Sequence, residues 1–592
     1  MALTKLQFRP GINREVTSYS NEGGWFDCDK IRFRFGYPEK MGGWEKYSST
    51  TYLGTARALH NWIALDGSNF LGVGTHFKYY IEEGTAYNDI TPLRVTTSAG
   101  DVTFAATDGS STITVTDTAH GAFENDFVTF SGAVSLGGNI TAAILNDEHQ
   151  IVSITDADTY AISVSATANS SDSGDGGTSV VGKYQINVGL DTAVGGTGWG
   201  AGTWGRDGWG EAESNGLTTT NEIRLWSHDN FGEDLLINPR DANIYYWDKT
   251  NGTGTRAVEL STRTGTKTSV PQVAKQVLVS DQDRHVIAFG CDGLGADSSA
   301  TQGDGVQDPL LVRFSSQEDP IDWFPTSTNT AGDLRLGSGS TFVQAVETKR
   351  EILIWTDTAL HSMRFIGPPF TFGLQQLSSN ITIMGPHAAV ATEDVVFWMG
   401  IDNFYVYAGQ TQQLPCTVKD KVFLDFNLSQ ADKVVAGINS EFGEVTWFYP
   451  SNTNSVANGG TGDNDRYVTY NYIEKVWYFG NLERTAWLDR GTRTYPVAAS
   501  SGYLYNHEFG YNDDGSEMNS FIESAAIDIG DGDKFAYIRR VVPDITFDGS
   551  TNLSSPQATF TVKARNFPGA DFGSTASGDA VRSSTTPVEQ FT

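Results

Sequence analysis

Short runs of apolar and aromatic residues, separated by turn residues, recur through most of this 592-residue chain. Between 341 and 410, residues 352–355 form a continuous apolar run, and residues 360–365 alternate between apolar and polar side chains. A further run at 395–399 passes through Gly400 and Asp402 into the aromatic run 404–407. Runs of four to six residues that are bounded by Asp, Asn and Gly predict antiparallel β-hairpins.

The same pattern repeats along the chain without exact sequence repeats. Comparable runs lie at 222–226, 244–247, 286–289, 310–314, 444–449, 467–472 and 475–479. A first unit at 56–94 and the remainder at 221–510 provide six or seven four-stranded units at roughly 40–50 residues each. The sequence therefore predicts an all-β protein built as a β-propeller, with six blades preferred and seven as the alternative.

The remaining segments differ from the blades in composition. We expect residues 1–55 to form an extended arm and residues 182–220 a loop rich in Gly and Trp. Residues 95–181 hold at most one Lys or Arg and many Thr and Ser, which predicts a small inserted β domain that faces outward. Residues 511–592 form a C-terminal β segment, which we expect to be a truncated tip or a platform region.

The arm mixes aromatic residues with charges of both signs. Such a segment either lies along a neighbouring subunit, with aromatic anchors and Arg–carboxylate pairs, or packs on its own body. Both alternatives stay open, and the three Trp of the 182–220 loop raise the same question. The candidate assembly residues are Arg14, Trp25, Phe26, Arg32, Arg34, Trp44, Trp199, Trp204 and Trp209.

The net charge of −31 argues against tight binding of nucleic acid, whose phosphates are held by Lys and Arg. Residues 1–50 carry +2, so the rest of the chain carries −33. Cys28, Cys291 and Cys416 lie far apart, as expected for unpaired cysteines in a reducing compartment. No signal peptide or run of 18 apolar residues is present, so we expect synthesis in a cytoplasm and no membrane-spanning segment.

Candidate chemistry is sparse. Residues 200–205 match GxGxxG without a flanking strand and helix, so no dinucleotide site is expected. Segments 227–232 and 316–320 are similar to the Asp-box turns of sialidase-type propellers, but turns need Ser, Asp and Gly in any case. Asp528, Asp531 and Asp533 lack the bidentate Glu of a Ca²⁺ loop. We therefore predict a protein that is not an enzyme, with no catalytic residue, cofactor or metal.

Several phrases resemble the tail-nozzle proteins (tail tubular protein B) of short-tailed bacteriophages. The stretch from Gly11 through Trp25–Arg34 to Trp44 looks very like that family's start. Similar phrases occur at 89–94, 331–335, 352–357, 386–389 and 527–533. The resemblance covers nearly the whole chain except 95–181, and none of its phrases is catalytic.

The resemblance implies a structural virion protein, a hexameric propeller tube at the distal end of the phage tail. DNA is retained behind and ejected through this tube without tight binding, and the partners are a tail adaptor ring and tail fibres. The implied location is the virion tail, after assembly in the host cytoplasm. The alternative from another functional class is a virion-associated propeller that binds or cleaves glycans, motivated by the Asp-box-like turns and by Trp.

Overall fold

The computed structural model describes residues 5–173, 176–193, 223–528, 541–547, 557–565 and 581–586. Within these ranges the chain forms a β-propeller of seven four-stranded antiparallel blades. The predicted all-β class and propeller architecture are confirmed, with seven blades rather than the preferred six. The strand bounds of blades 1 to 3 are Ala56–Ile63, Asn69–Thr75, Tyr79–Glu83 and Ala86–Asp89; Trp226–Phe231, Asp234–Pro239, Tyr245–Trp247 and Val258–Glu259; and Gln276–Val279, Val286–Phe289, Leu311–Phe314 and Gly332–Arg335.

Blades 4 to 6 continue the series in sequence order. Their strands are Phe342–Glu347, Ile352–Thr356, Ala359–Gly367 and Thr371–Ser379; Ala389–Thr392, Val395–Met399, Phe404–Tyr407 and Thr411–Leu414; and Val435–Asn439, Glu444–Pro450, Asn464–Asn471 and Val476–Asn481. Between blades 5 and 6 lie an α-helix at Lys419–Asp425 and a 3-10 helix at Leu428–Lys433. Other 3-10 turns are Lys249–Asn251, Leu260–Thr262 and Val456–Asn458.

Blade 7 combines the two ends of the propeller sequence. Its inner three strands are Ala486–Leu488, Val497–Ser500 and Tyr503–His507, and its outer strand is Trp44–Lys46 from the N-terminal segment. Because a strand from before blade 1 completes the last blade, the backbone hydrogen bonds of that sheet close the ring. Residue 44 falls within the arm predicted over residues 1–55, and its pattern gave no sign that it belongs to a blade.

The inner strands of the blades surround the propeller axis, and all of them run in the same direction. We call the face where they begin the start face and the face where they end the end face. Side chains link neighbouring inner strands in place of backbone ladders. The Gln276 amide bonds both polar backbone atoms of Ala345 at 2.8 and 2.9 Å, and Gln344 bonds those of Ala389 at 3.0 Å each.

Tryptophans complete these links between blades. Trp226 Nε1 donates to the carbonyl of Thr75 at 2.7 Å, and Trp487 Nε1 donates to that of Ile438 at 2.8 Å. The facing residues are Gly74 and Gly437, where an added Cβ would lie 2.7 and 2.3 Å from the indole. Glycine at these two positions therefore leaves room for the rings against the preceding blade, where the buried Trp226 and the half-buried Trp487 add apolar contact.

The inserted β domain lies between the outer strand of blade 1 and the inner strand of blade 2. Its single sheet has the spatial order Thr103–Ala106, Thr112–Thr116, Thr159–Ser163, Glu148–Asp156, Phe127–Ser131, Val181–Gln185 and Leu93–Thr96, with a short helix at Ala142–Leu145. The sheet thus begins two residues before the expected bound at 95 and ends four residues after 181. The domain encloses its own apolar cluster, which includes Phe104, Phe130 and Tyr160.

A partly buried charge network joins the insertion to blades 1 and 2, and we call it the insertion joint. Lys78 Nζ lies 2.9 Å from Asp89 Oδ2 and also pairs with Glu148 of the insertion. Arg256 Nη2 of blade 2 lies 3.1 Å from the same Asp89 oxygen and 3.3 Å from Glu148 Oε2. Two cations therefore share two carboxylates, and the Lys78 side chain is only 3 % exposed.

The arm and the C-terminal segment form a layer on blade 6. Strand Trp25–Asp29 pairs with Phe521–Ser524, and Ile31–Arg34 forms a hairpin with Tyr37–Lys40. The backbone amide of Ile12 donates to the carbonyl of Trp477 at 2.8 Å, and the Cys28 thiol donates to that of Phe479 at 3.2 Å. A last described hairpin pairs Ala558–Lys563 with Val581–Thr586. The arm thus covers the outer edge of a blade in its own chain.

Candidate functional site

Two of the candidate assembly residues lie inside the propeller. Arg32 Nε lies 2.9 Å from Glu444 Oε1 of blade 6, and Arg32 Nη1 lies 2.9 Å from Glu508 Oε2 beyond the third strand of blade 7. The ring of Phe442 stacks on its guanidinium at 3.6 Å. The Arg32 side chain is 2 % exposed, so it fastens the arm to blades 6 and 7 of its own chain. We call this group the closure joint.

Trp44 is the second buried candidate, at 3 % exposure in the outer strand of blade 7. Its Nε1 donates to Asp513 Oδ1 at 2.6 Å, and its ring stacks on His507 at 5.4 Å between centroids. Like Arg32, it serves the closure of the ring. The apolar periodicity of the sequence gave no signal for this role, because the pairing partner, Tyr503–His507, lies more than 450 residues away.

The other described candidates lie nearer the surface. Arg14 stacks on Phe26 at 4.1 Å and pairs with Asp27 at 3.6 Å, and Trp25 packs on Phe8 at 4.4 Å. Arg34 is exposed. Their predicted role in contacts between subunits stays a prediction. Trp199, Trp204 and Trp209, together with the GxGxxG segment, lie outside the described residues.

An axial cavity of about 200 Å³ lies between the inner strands of blades 2 to 5. Trp226–Asp229, Lys275–Leu278, Gln344 and His387 line it. Arg240 of blade 2 crosses above it and donates to the carbonyls of Phe342 and Val343 in blade 4, at 3.2 and 3.1 Å. A cavity of this size is far too small for a DNA duplex.

At the start face, contacts join distant parts of the chain. The segment that follows the insertion crosses there, and the Gln430 amide holds both backbone polar atoms of Ala193 at 3.0 and 2.9 Å. Arg57 Nη2 lies 2.6 Å from Asp191 Oδ1, and Arg57 Nη1 lies 3.0 Å from Asp463 Oδ1. The cations at this end are therefore neutralised by neighbouring carboxylates, which is expected for charges with so little exposure.

The end face of the axis has a different electrostatic character. Asp229 Oδ2 accepts from the amide of Val279 at 2.7 Å, and Glu347 Oε1 accepts from the amide of Asp281 at 3.1 Å. These two carboxyls thus link the inner strands of blades 2, 3 and 4. Neither makes an ion pair with any described residue.

Burial without a cation shifts the protonation of this carboxyl pair. Burial raises the pKa of Asp229 to about 7, and the negative charge of Asp281 adds to that rise. Burial likewise raises the pKa of Glu347 to about 8, with Asp281 and Asp229 as further causes. Carboxyls with such pKa values carry a proton for much of the time at neutral pH, and they are the groups from which acid catalysts are drawn.

Of the two segments that are similar to Asp-box turns, only the one at 316–320 forms a turn in the structure. Asp229 lies within the inner strand Trp226–Phe231 and points into the axial cavity. Asp319 does lie in a turn, where its Oδ1 accepts from the amide of Ile321 at 3.0 Å. Asp229 lies in a segment that the sequence singled out, whereas Glu347 and Asp281 gave no local signal, because an acidic residue at the end of an apolar strand does not report that it faces an axis.

Among the described residues, no group of three His, Cys, Asp or Glu has the geometry to hold a metal ion. Asp528 accepts from Tyr19 Oη at 3.0 Å, while Asp531 and Asp533 lie outside the described ranges. The three cysteines are free thiols. In the same part of the chain, every helix falls short of the length and apolarity that a membrane span requires.

Comparison with known proteins gives fold-level similarity at most. No protein-family model matches the chain, and no curated protein matches it. Kluyvelomyces marxianus Hsv2 is similar over 48 % of this chain and 76 % of its own, at 6 % identity and a TM-score of 0.27. The AfRom2 CNH domain is similar over 51 % and 84 %, at 9 % identity and a TM-score of 0.29.

A phage protein is also among the similar structures. The phage phi92 endosialidase covers 92 % of this chain and 79 % of its own, at 10 % identity and a TM-score of 0.19. With TM-scores this low, none of these similarities supports a functional inference for this chain.

Proposed function

We propose that this protein is the subunit of a hexameric tail tube (nozzle) of a short-tailed phage, through which DNA is retained and ejected. The proposal rests on the position in the fold of the stretch that most resembles the tail-nozzle family. Residues 11–44 contain Arg32 of the closure joint and lead into the outer strand of blade 7. The longest stretch that resembles the nozzle family is therefore the one that closes this propeller.

The dimensions of the axis support an assembly rather than a single ring of blades. The axial cavity has a volume of about 200 Å³, and Arg240 spans it from blade 2 to blade 4. A conduit for a duplex then has to lie between copies of the chain. The acidic body of the chain favours release of DNA, because negative charges repel the phosphates. At physiological salt only charges within about 8 Å of the duplex act on it, so the charges that line the conduit suffice.

Electron microscopy of the purified protein and of intact virions tests the proposal. We expect rings with six-fold symmetry and an open central lumen, located at the distal end of the tail beyond the adaptor ring. Fibres dock on the outside of such a ring. A protein that stays monomeric within intact tails, or a ring whose lumen is too narrow for a duplex, contradicts the proposal.

A glycan-cleaving propeller is the second candidate, and the carboxyl pair at the end face favours it. Glycoside hydrolysis uses two carboxyl groups, of which the acid must hold its proton near neutral pH. Hydrolysis of host polysaccharide that is lost in Asp229→Asn and in Glu347→Gln, and is retained in Asp319→Asn, would replace the nozzle proposal. If the wild type releases no reducing sugar from the polysaccharide, this candidate is ruled out.

A further inference from the structure

Two exposed Asn–Gly pairs within the described chain can be compared directly. Asn251 ends a 3-10 turn of blade 2 and precedes Gly252. Asn458 ends a 3-10 turn of blade 6 and precedes Gly459. All four residues are exposed, and a Cβ added to either glycine would meet no atom within 4 Å. Both pairs therefore have space and solvent around them for a chemical change of the backbone.

The reactivity of an Asn–Gly pair depends on the glycine nitrogen. Once it has lost its proton, this nitrogen can attack the carbonyl carbon of the preceding Asn side chain, because a five-membered ring joins the two atoms. Glycine has no Cβ that obstructs their approach. In both turns the glycine N–H donates to the carbonyl three residues earlier at 3.0 Å, so this restraint is the same at the two pairs.

The two Asn residues differ in how the surrounding chain holds them. Asn458 Nδ2 donates to the carbonyl of Asn452 at 2.8 Å, which restrains the side-chain amide. No hydrogen bond from a described residue restrains the Asn251 amide. Thr255 Oγ1 also donates to the Asn251 carbonyl at 2.9 Å. That carbonyl and the Gly252 nitrogen belong to one peptide group, so the hydrogen bond withdraws electrons and makes the N–H a stronger acid.

We propose that Asn251 is a site of spontaneous modification, at which the folded protein deamidates through a cyclic imide. Hydroxide removes the proton of the Gly252 nitrogen, which then forms a bond to Asn251 Cγ. The bond from Cγ to Nδ2 breaks, and ammonia leaves with a proton from water. A water molecule then opens the imide at one of its two carbonyls and gives aspartate or isoaspartate. The net change is one amide and one water to one carboxylic acid and one ammonia.

The modification adds a carboxylate next to an ion pair that links two blades. Lys249, two residues before Asn251, has its Nζ 2.5 Å from Asp66 Oδ2 of blade 1. The new negative charge competes with Asp66 for this cation. Because the pair is exposed, we expect the modification to loosen the edge between blades 1 and 2 and to leave the core of the propeller unchanged. This inference goes beyond the proposed function and does not depend on it.

Peptide mapping of the full chain after incubation at mildly alkaline pH tests the proposal. Mass spectrometry separates the amide from the acid at each Asn, and the third Asn–Gly pair, at 215–216, lies outside the described residues and in a different tryptic peptide. We expect Asn251 to convert about fivefold faster than Asn458, the factor that corresponds to one hydrogen bond. In concentrated guanidinium chloride the two should convert at similar rates, because neither turn persists there.

A substitution separates the effect of the hydroxyl from that of the free-standing turn. Thr255→Val removes the hydrogen bond to the Asn251 carbonyl and should slow conversion at Asn251 several-fold, with Asn458 unchanged. Thr262→Val is the matched control, because Thr262 Oγ1 donates to the carbonyl of Glu259 in the same blade, and it should change neither rate.

Three results would overturn the proposal. They are an Asn251 that stays an amide in the folded protein, an Asn458 that converts as fast as Asn251, and a difference in rate that persists in guanidinium chloride, which would assign it to the flanking sequence. Each of these results leaves the proposed tail-tube function standing, because the ring of subunits is not part of the measurement.

Discussion

The propeller is fastened to itself and to its insertion by two charge clusters, one buried and one partly buried, which also differ in their number of cations. At the closure joint a single cation, Arg32, serves two carboxylates, Glu444 and Glu508. At the insertion joint two cations, Lys78 and Arg256, share two carboxylates. The closure joint therefore has no replacement for its cation, whereas the insertion joint has one.

This difference matches what each joint holds. Loss of the closure joint leaves two buried carboxylates facing each other and releases the arm that completes blade 7. The insertion has its own apolar core, so loss of its joint changes orientation more than folding. We therefore expect the ring to depend more on the closure joint than on the insertion joint.

Arg32→Met should give the largest effect. Removal of one partner from a buried ion pair costs about 3–5 kcal/mol, because the remaining charges stay buried without compensation. We expect a loss of that size in the free energy of unfolding, measured by urea titration of Trp fluorescence. Arg34→Met, at an exposed position on the same strand, is the control and should change it by less than about 0.5 kcal/mol. Equal effects of the two substitutions would show that the closure joint does not hold the ring.

Lys78→Met should have a smaller and more local effect. Arg256 still pairs with both Asp89 and Glu148, and these carboxylates are partly exposed, so we expect a loss of about 1–2 kcal/mol, below the range for an uncompensated buried pair. Hydrogen exchange should increase at the base of the insertion and stay unchanged in blade 6. Adding Arg256→Met should cost more than the sum of the two single substitutions. Additive effects would mean that the two cations do not substitute for each other.

The carboxyl pair of blades 2 to 4 extends the comparison to a joint without a cation. Because the pKa values of Asp229 and Glu347 are raised above those of the unfolded chain, the folded state binds more protons between about pH 4 and pH 8. Their contribution to stability is therefore lost as the pH rises through this window.

Replacing both carboxyls should remove that pH dependence. We expect Asp229→Asn with Glu347→Gln to raise the melting temperature by a few degrees at pH 9 and to leave it nearly unchanged at pH 5. Differential scanning calorimetry at both pH values measures this. Asp156→Asn with Asp158→Asn, on the surface of the insertion, removes the same charge and controls for general repulsion. A double variant that melts below the wild type at pH 9 would show that the ionised carboxylates stabilise the blade contacts.

The sequence predicts the hairpins within each blade, because their strands are adjacent in the chain, and it does not predict contacts between distant residues. The run at 352–355 and the alternation at 360–365 lie within the strands Ile352–Thr356 and Ala359–Gly367, because hairpins are encoded by neighbouring residues. The strand at Trp44 and the burial of Arg32 depend on partners hundreds of residues away, and no local period reports them. The same limit applies to Asp229 and Glu347, which meet only when blades 2 to 4 form a ring.

Deletion of the insertion should have the smallest effect on the propeller. The strands Leu93–Thr96 and Val181–Gln185 pair with each other, with Thr96 opposite Lys183, so a short Gly-containing turn can join them. The propeller side of this junction stays intact, because Ile90 and Ile186 pack in the core between blades 1 and 2. Glu148 is lost, and Asp89 keeps both of its cations.

We therefore expect the shortened chain to form the same rings as the wild type, with the free energy of unfolding of the propeller changed by less than about 1 kcal/mol. Mass photometry and urea titration check the two expectations. Lys78→Met in the shortened chain is the matched control, and it should cost less than in the full chain because Glu148 no longer needs a partner. A shortened chain that fails to fold would mean that the insertion is an integral part of the propeller and that its joint supports blades 1 and 2.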